Sequence, residues 1–69
     1  GIFKGWISID SSAGKLRSRL FALGCVKEEK TSSDQTYLSV TMGIKLLKEF
    51  MKNKELQLVE SEEYISKVS

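Results

Sequence analysis

The sequence of 69 residues contains no histidine, one cysteine and one tryptophan. The absence of histidine removes the commonest general base and the commonest protein ligand of metal ions. Cys25 is alone and cannot form a disulfide within the chain, which favours a reducing compartment such as the cytoplasm. No other residues have the spacing of a catalytic or metal-binding set. We therefore expect a protein that is not an enzyme and that carries no cofactor or metal.

Long apolar runs are also missing. No stretch approaches the roughly 20 residues that a membrane-spanning helix needs, and no basic-then-apolar leader is visible. Hydrophobic residues make up 41% of the chain and charged residues 29%, which is typical of a folded globular protein. We therefore expect a globular protein that makes no contact with a membrane.

The charge is small and unevenly distributed. The net charge of +2 is too low for the strong basic signature of a nucleic-acid-binding domain. Residues 1–27 nevertheless carry five basic side chains against one acidic side chain, whereas the rest of the chain carries six lysines against eight acids. The amino-terminal part is therefore the cationic end of the chain.

The length bounds the organisation of the chain. A sequence of 69 residues makes one domain. A domain of this size buries only about 60% of the surface that its unfolded chain exposes, so association stabilises it. We predict one domain over residues 1–60, followed by a tail or short extra element over residues 61–69. We also expect a homo-oligomer or a complex with another protein.

The stretch from residue 2 to residue 10 alternates as a strand does, because successive side chains of a strand point to opposite faces. Apolar residues and one glycine share the first face: Phe3, Gly5, Ile7 and Ile9. The second face is mostly polar but carries the single tryptophan: Lys4, Trp6, Ser8 and Asp10. We expect the first face to look into the core, which leaves Trp6 outside it.

Periodicity predicts five further elements. Spacing of 3.6 residues predicts helices over residues 12–23 and 43–53, and alternation predicts strands over residues 25–31, 35–42 and 56–60. We expect N-caps at Ser11 or Ser12 and at Thr41. At the helix ends, Gly24 and Asn53 are the residues that tolerate the left-handed region. Residues 31–34 predict a hairpin loop longer than two residues.

The order β-α-β-β-α-β with short connections predicts a ferredoxin-like α+β sandwich. This fold has a four-stranded antiparallel sheet with two helices on one face, and its first and third strands are central neighbours. If both central strands turn their apolar sides to the helices, Trp6 and Tyr37 lie together on the other side of the sheet, the outer face. Lys4, Ser8 and Ser39 would surround the two rings.

Short motifs in the first half of the chain resemble the opening of an ACT-type regulatory domain: Ile7-Ser-Ile-Asp10, Gly14-Lys-Leu16 and Leu20…Leu23-Gly24-Cys-Val26. The predicted order of elements fits the same family over nearly the whole chain. The resemblance implies a domain that pairs through its sheet and binds an amino acid or a similar small effector near the first strand–helix turn. It would place the effector beside Asp10, Ser11, Ser12 and Gly14.

The function expected from these features is that of a small non-catalytic regulatory module that pairs with itself or with another protein. The binding residues would be those of the outer face: Lys4, Trp6, Ser8, Tyr37 and Ser39. The alternative is a module that binds single-stranded nucleic acid, with bases stacked on Trp6 and Tyr37 and phosphates near Lys4. Exposed aromatic rings indicate an interaction surface, but they do not identify the partner.

Overall fold

The computed structural model describes residues 1–59, which form four strands and two helices. Their bounds are β1 Ile2–Asp10, α1 Gly14–Ala22, β2 Val26–Thr31, β3 Gln35–Gly43, α2 Ile44–Met51 and β4 Leu56–Val59. These bounds differ from the predicted ones by two residues at most within this range. The predicted tail over residues 61–69 lies outside the described residues. Neither helix within residues 1–59 has the length and hydropathy of a membrane span.

The four strands form one sheet in the order β2-β3-β1-β4, and every neighbouring pair is antiparallel. The central strands β1 and β3 pair along their whole length, from Ile2 opposite Gly43 to Asp10 opposite Gln35. Strands β2 and β4 form the two edges. The structure confirms the α+β class, the four-stranded antiparallel sheet and the central position of the first and third strands.

The core lies between the sheet and the helices. The core-facing side predicted for β1 is confirmed, because Ile7 and Ile9 are buried in this core and Phe3 packs against it. The register sets Ile7 directly opposite Leu38. Buried residues of both helices and of the strands belong to one cluster, whose larger members are Ile7, Ile9, Leu16, Leu20, Leu38, Val40, Met42, Leu47, Phe50 and Leu56. The side chains of the central strands that alternate with these residues point to the outer face.

Helix α1 begins without a side-chain cap. The prediction of a cap at Ser11 or Ser12 is wrong, because the N-cap residue is Ala13 and the Ser12 hydroxyl donates to Asp10 instead. The end of the helix agrees with the prediction, since Gly24 lies in the left-handed region with φ of +72°. Glycine adopts this conformation without the steric cost that a Cβ would add.

Helix α2 also begins without a side-chain cap. Its N-cap is Gly43 rather than Thr41, and the carbonyl of Gly1 accepts the N–H of Ile44 at 3.0 Å. The prediction for Asn53 is wrong as well, because glycine alone has a positive φ within residues 1–59. The Asn53 side-chain oxygen instead accepts a backbone N–H at 2.9 Å in the turn that leads into β4. Local backbone contacts thus replace the expected caps.

The edge strand β2 is joined to β3 by a loop over residues 32–34, in agreement with a hairpin loop longer than two residues. Arg17 of α1 donates two hydrogen bonds to the carboxylate of Glu29, one of them at 2.8 Å. These bonds lower the pKa of Glu29 and raise that of Arg17. The Arg17 guanidinium also lies 4.5 Å from the centre of the Phe21 ring. Arg17 therefore links the edge strand to the first helix.

Two neighbouring leucines of α2 provide a matched test of the core. Leu47 is 5% exposed and belongs to the core cluster, whereas Leu46 is 37% exposed. We expect Leu47→Ala to lower the free energy of unfolding by about 2–5 kcal/mol, because it removes buried methyl groups and leaves a cavity. Leu46→Ala should cost less than about 1 kcal/mol. Urea denaturation measures both changes, and equal losses would contradict this assignment of the helix faces.

Substitution of the glycines at the two ends of α1 distinguishes the stability cost of backbone strain from the stability gained through helix propensity. A Cβ added at Gly14 or at Gly24 meets no atom within 4 Å, so no clash contributes. Because Gly24 has a positive φ, Gly24→Ala should cost about 1–2 kcal/mol. Gly14→Ala should instead raise the free energy of unfolding by about 0.4–1 kcal/mol, because alanine restricts the unfolded chain and favours the helix. Thermal melts should show shifts of opposite sign, and shifts of the same sign would be inconsistent with this geometry.

Candidate docking surface on the outer face

The predicted binding residues lie together on the outer face. The register sets Trp6 opposite Ser39 and Ser8 opposite Tyr37, and directly opposed residues of antiparallel strands point to the same side. Lys4 lies two residues before Trp6 and therefore shares this side. None of these residues belongs to the core cluster. The structure thus brings together all five residues predicted for this face.

Tyr37 differs from the expectation of an exposed aromatic ring. It is 2% exposed, and Ser8, which lies opposite it, is 9% exposed. Both side chains point away from the helices, so the helices cannot account for their burial. The prediction that Tyr37 offers an exposed ring to a partner is therefore wrong, because its ring is covered on the outer side of the sheet.

A contact between the two strands that flank β3 supplies part of this cover. Lys30 of β2 lies opposite Tyr37, and its ammonium group is 5.8 Å from the centre of the Trp6 ring in β1. Because β3 separates these two strands in the sheet, the Lys30 and Trp6 side chains meet above β3. The distance lies within the range of cation–π attraction. Lys30 and Trp6 therefore flank Tyr37 on its two sides.

Trp6 itself remains partly exposed. On the side away from β3 it lies opposite Val59 of β4, and the exposed Lys4 is the next outward residue along β1. The ring is thus bordered by an aliphatic side chain and by the cations Lys4 and Lys30. Tryptophan is enriched at the centres of protein interfaces, where a polar rim surrounds an apolar anchor. The accessible part of the outer face has this composition.

A pocket of about 440 Å³ opens at one end of the outer face, where β1 ends and β3 begins. The N–H of Asp10 donates to the carbonyl of Glu55 at 3.3 Å, which holds the turn between α2 and β4 against the end of β1. Carboxylates, an ammonium group and side-chain amides line the pocket, so it offers hydrogen-bond donors and acceptors as well as groups of positive and negative charge. The lining residues are Ser8, Asp10, Gln35, Tyr37, Lys54, Glu55 and Gln57.

The strand–helix turn predicted to hold an effector is closed by its own hydrogen bonds. Oδ1 of Asp10 accepts the Ser12 hydroxyl at 2.6 Å and the Ser12 N–H at 2.9 Å, and both bonds lower the pKa of Asp10. The N–H of Ser11 donates to the carbonyl of Asp34 at 3.1 Å. Of the four residues predicted for the effector, Asp10 lines the pocket, whereas Ser11, Ser12 and Gly14 do not.

The single thiol of the chain packs in the core. Cys25 is 7% exposed, and its sulfur lies 3.4 Å from the carbonyl oxygen of Leu20, to which it donates. Burial raises the pKa of the Cys25 thiol, which disfavours the thiolate that nucleophilic chemistry requires. Within the described part of the chain, no three ligating side chains are grouped as a metal ion needs them.

Sequence reasoning missed Lys30 and the residues that the α2–β4 turn and β4 contribute to the pocket. The loop alone does not identify Lys30, because symmetric pairing about residues 32–34 would set Thr36 opposite Lys30, whereas the observed register sets Tyr37 there. The remaining residues reach the pocket through pairing that is distant in sequence, and no local pattern indicates it. These residues are Lys54, Glu55 and Gln57.

Comparison of the chain with models of protein families, with curated proteins and with solved structures finds no match. The interpretation of the outer face therefore depends on its own geometry and chemistry.

The Asp10–Ser12 contact leads to a prediction about pH. Two hydrogen bonds lower the pKa of Asp10 below its ordinary value of 3.8, and the bond from the Ser12 hydroxyl has a larger effect than the bond from the Ser12 N–H. At pH values above the ordinary pKa, the lowered pKa of Asp10 adds to the free energy of unfolding. This contribution is lost as the pH falls through the lowered pKa of the folded chain. We expect Ser12→Ala to raise the pKa of Asp10, which carbon NMR of its carboxylate measures. Ser11→Ala is the control, and an equal rise in that variant would contradict the assignment.

Proposed function

We propose that the chain is a small non-catalytic binding module of ferredoxin-like fold with a regulatory role. In this proposal it pairs with a copy of itself or with another protein through the outer face of its sheet. One observation carries the proposal. Trp6 is partly exposed on the outer face, where Lys4, Lys30 and Val59 border it. The buried side chains of the two described helices belong to the core cluster, which does not include Trp6.

The strand order supports the ferredoxin-like part of the proposal. The order β2-β3-β1-β4 is the one expected when two β-α-β units interleave in a single antiparallel sheet. A core cluster shared by both helices agrees with helices on one side of this sheet. In such a fold one sheet face stays without helices, so the chain is able to associate there without rearranging its core.

The pocket at the end of the outer face supports a second element of the proposal, the sensing of a small effector. The carboxylates of Asp10 and Glu55 suit an ammonium group, and Lys54 suits a carboxylate. An amino acid or a similar zwitterion carries both groups. The ACT-type resemblance of the sequence implies an effector of this class near the same turn, and Asp10 is the residue common to the turn and the pocket.

The binding of single-stranded nucleic acid is the alternative function. Trp6 with its neighbouring lysines favours it, since bases stack on aromatic rings beside cationic groups. The 2% exposure of Tyr37 weighs against it, because a covered ring offers no second stacking platform. The net charge of +2 is also small for a surface that must attract phosphates. Protein pairing therefore ranks first.

Substitution of Trp6 tests the pairing directly. We expect the wild-type chain to self-associate in sedimentation equilibrium and Trp6→Ala to weaken the association about tenfold or more, as truncation of a central interface tryptophan does. The free energy of unfolding of the monomer should fall far less than in Leu47→Ala, because Trp6 lies outside the core cluster. Lys48→Glu, on the exposed side of α2, is the control and should leave the association constant unchanged.

A fluorescence titration of Trp6 separates the alternatives. We expect single-stranded oligonucleotides to cause no saturable change, whereas saturable quenching that weakens with salt would favour the nucleic-acid function. Amino acids should produce a saturable response that Asp10→Asn abolishes. A monomeric chain whose Trp6 is freely quenched by acrylamide and responds to neither ligand would contradict the proposed function.

A further inference from the structure

We propose that the groove between α1 and α2 binds an acidic amphipathic helix of a partner protein, and that Arg19 holds a carboxylate of that helix. The groove lies on the helix side of the core, whereas the outer face lies on the other side of the sheet. The inference therefore goes beyond the function proposed above and does not depend on it.

The two helices meet at a pocket of about 130 Å³, the helix groove, which is lined by Arg19, Leu46, Glu49 and Phe50. Arg19 of α1 lies over the ring of Phe50 of α2, with 5.7 Å between the guanidinium carbon and the ring centre. Helix residues three and four apart are neighbours, so Leu46, Glu49 and Phe50 share one side of α2. The groove thus combines a cation, a carboxylate and apolar side chains.

Arg19 is an unpaired cation in this groove. Within residues 1–59 its guanidinium has neither a hydrogen-bond partner nor an ion-pair partner, whereas Arg17 on the same helix pairs with Glu29. Contact with an aromatic ring leaves N–H donors of a guanidinium available, and their planar arrangement matches a carboxylate in a bidentate pair. Because the Phe50 ring restricts its movement, Arg19 is partly preorganised to bind a carboxylate.

Exposed leucines border Arg19 on both helices. Leu46 of α2 is 37% exposed, and Leu23 is 53% exposed. Leu23 follows Arg19 by four residues and therefore lies on the same side of α1. A cavity of about 150 Å³ accommodates a benzene ring. A groove of about 130 Å³ therefore suits an aliphatic side chain, which a ligand must carry next to its carboxylate.

The charge of the helices favours an acidic partner. Helix α1 contains three basic residues and no acidic residue, and α2 contains two basic residues and one acidic residue. The acidic residue, Glu49, already pairs with Lys52, whose Nζ lies 3.2 Å from its carboxylate. Lys15 is exposed and lies one turn before Arg19 on the same side of α1. An acidic ligand would therefore meet a surface of opposite charge.

The exposed leucines favour a protein over other acidic partners. Nucleic acid offers phosphates to a basic surface, but its backbone has no aliphatic group that would fill the helix groove. A membrane surface takes up an apolar face that inserts between the lipids. Leu46 instead lines a groove that accepts a side chain from outside. A protein segment supplies both the carboxylate and the aliphatic side chain.

The shape of the site favours a helical segment. An amphipathic helix places apolar anchors in a hydrophobic groove at spacings of three and four residues. A glutamate at the same spacing from an anchor lies beside it, as Arg19 lies beside Leu46 across the groove. An extended segment usually pairs with the edge of a sheet, and the helix groove contains no strand.

A synthetic peptide of about 15 residues, near the shortest length that forms a helix alone, is the probe. It consists of alanine, leucine and glutamate, with leucines at helical spacing and a glutamate beside each leucine. Fluorescence anisotropy of the labelled peptide measures its binding to the full chain. We expect saturable binding that weakens with salt. Arg19→Ala should weaken this binding about tenfold or more, as loss of a central interface arginine does.

Matched controls separate the helix groove from general charge attraction. Lys27→Ala removes one exposed positive charge from the edge strand β2 and should leave the affinity nearly unchanged. A second peptide has the same composition in an order without helical periodicity and should not bind saturably. The absence of peptide binding, equal binding of both peptides, or equal losses in Arg19→Ala and Lys27→Ala would overturn the proposal.

Chemical-shift mapping of the wild-type chain provides a readout that does not require any variant to fold. We expect the acidic peptide to cause its largest shifts at Arg19, Leu46 and Phe50. Shifts centred on Trp6 would place the peptide on the outer face. That result would refute the inference about the helix groove and would support the docking function proposed above.

The remaining occupants of the groove have their own tests. Vesicles of phosphatidylserine and phosphatidylcholine, or a DNA duplex, might be bound in place of the peptide; binding of either that Arg19→Ala weakens would assign the groove to a membrane or to nucleic acid. Self-association that Arg19→Ala weakens and Trp6→Ala does not would assign it to a second copy. Each of these results would contradict the proposal. Peptide binding that Trp6→Ala leaves unchanged, in a chain that stays monomeric, would support the proposal while the docking function fails.

Discussion

The pairing of β1 with β3 is the constraint on which the rest of the structure depends. The two strands stay in one register over the full length of β1, from Ile2 to Asp10. Because side chains alternate with a period of two, this register decides for each residue whether it faces the helices or the outer side. A slip of one residue in β1 would turn Ile7 outward and Trp6 into the core. The composition of the outer face and that of the hydrophobic core are thus two results of the same register.

The outer face adds buried surface to a domain whose core on the helix side of the sheet is small. A domain of this length leaves much of its surface exposed, so each further buried side chain matters for stability. Tyr37 adds such a side chain outside the core cluster, and Lys30 and Trp6 flank it without closing the surface.

The sequence predicted the strands, the helices and the composition of the outer face, because these depend on periodicity. It did not predict the burial of Tyr37, since alternation gives the direction of a side chain but not what lies above it. It also misplaced the helix caps. Ser12 donates to Asp10 and Gly43 precedes α2, because local hydrogen bonds of the turns competed with the usual caps. The pocket depends on Glu55, which pairs with the end of β1 at long range, and no local pattern indicates such pairing.

The register of the two central strands is open to direct measurement. Cross-strand backbone Nuclear Overhauser contacts in the wild-type chain report which residues of β1 and β3 lie opposite each other. We expect contacts that set Ser8 opposite Tyr37 and Ile7 opposite Leu38, which keeps Tyr37 on the outer face. Contacts that set Tyr37 opposite Ile7 or Ile9 would place its ring among the helix-facing residues and would contradict the proposed docking surface.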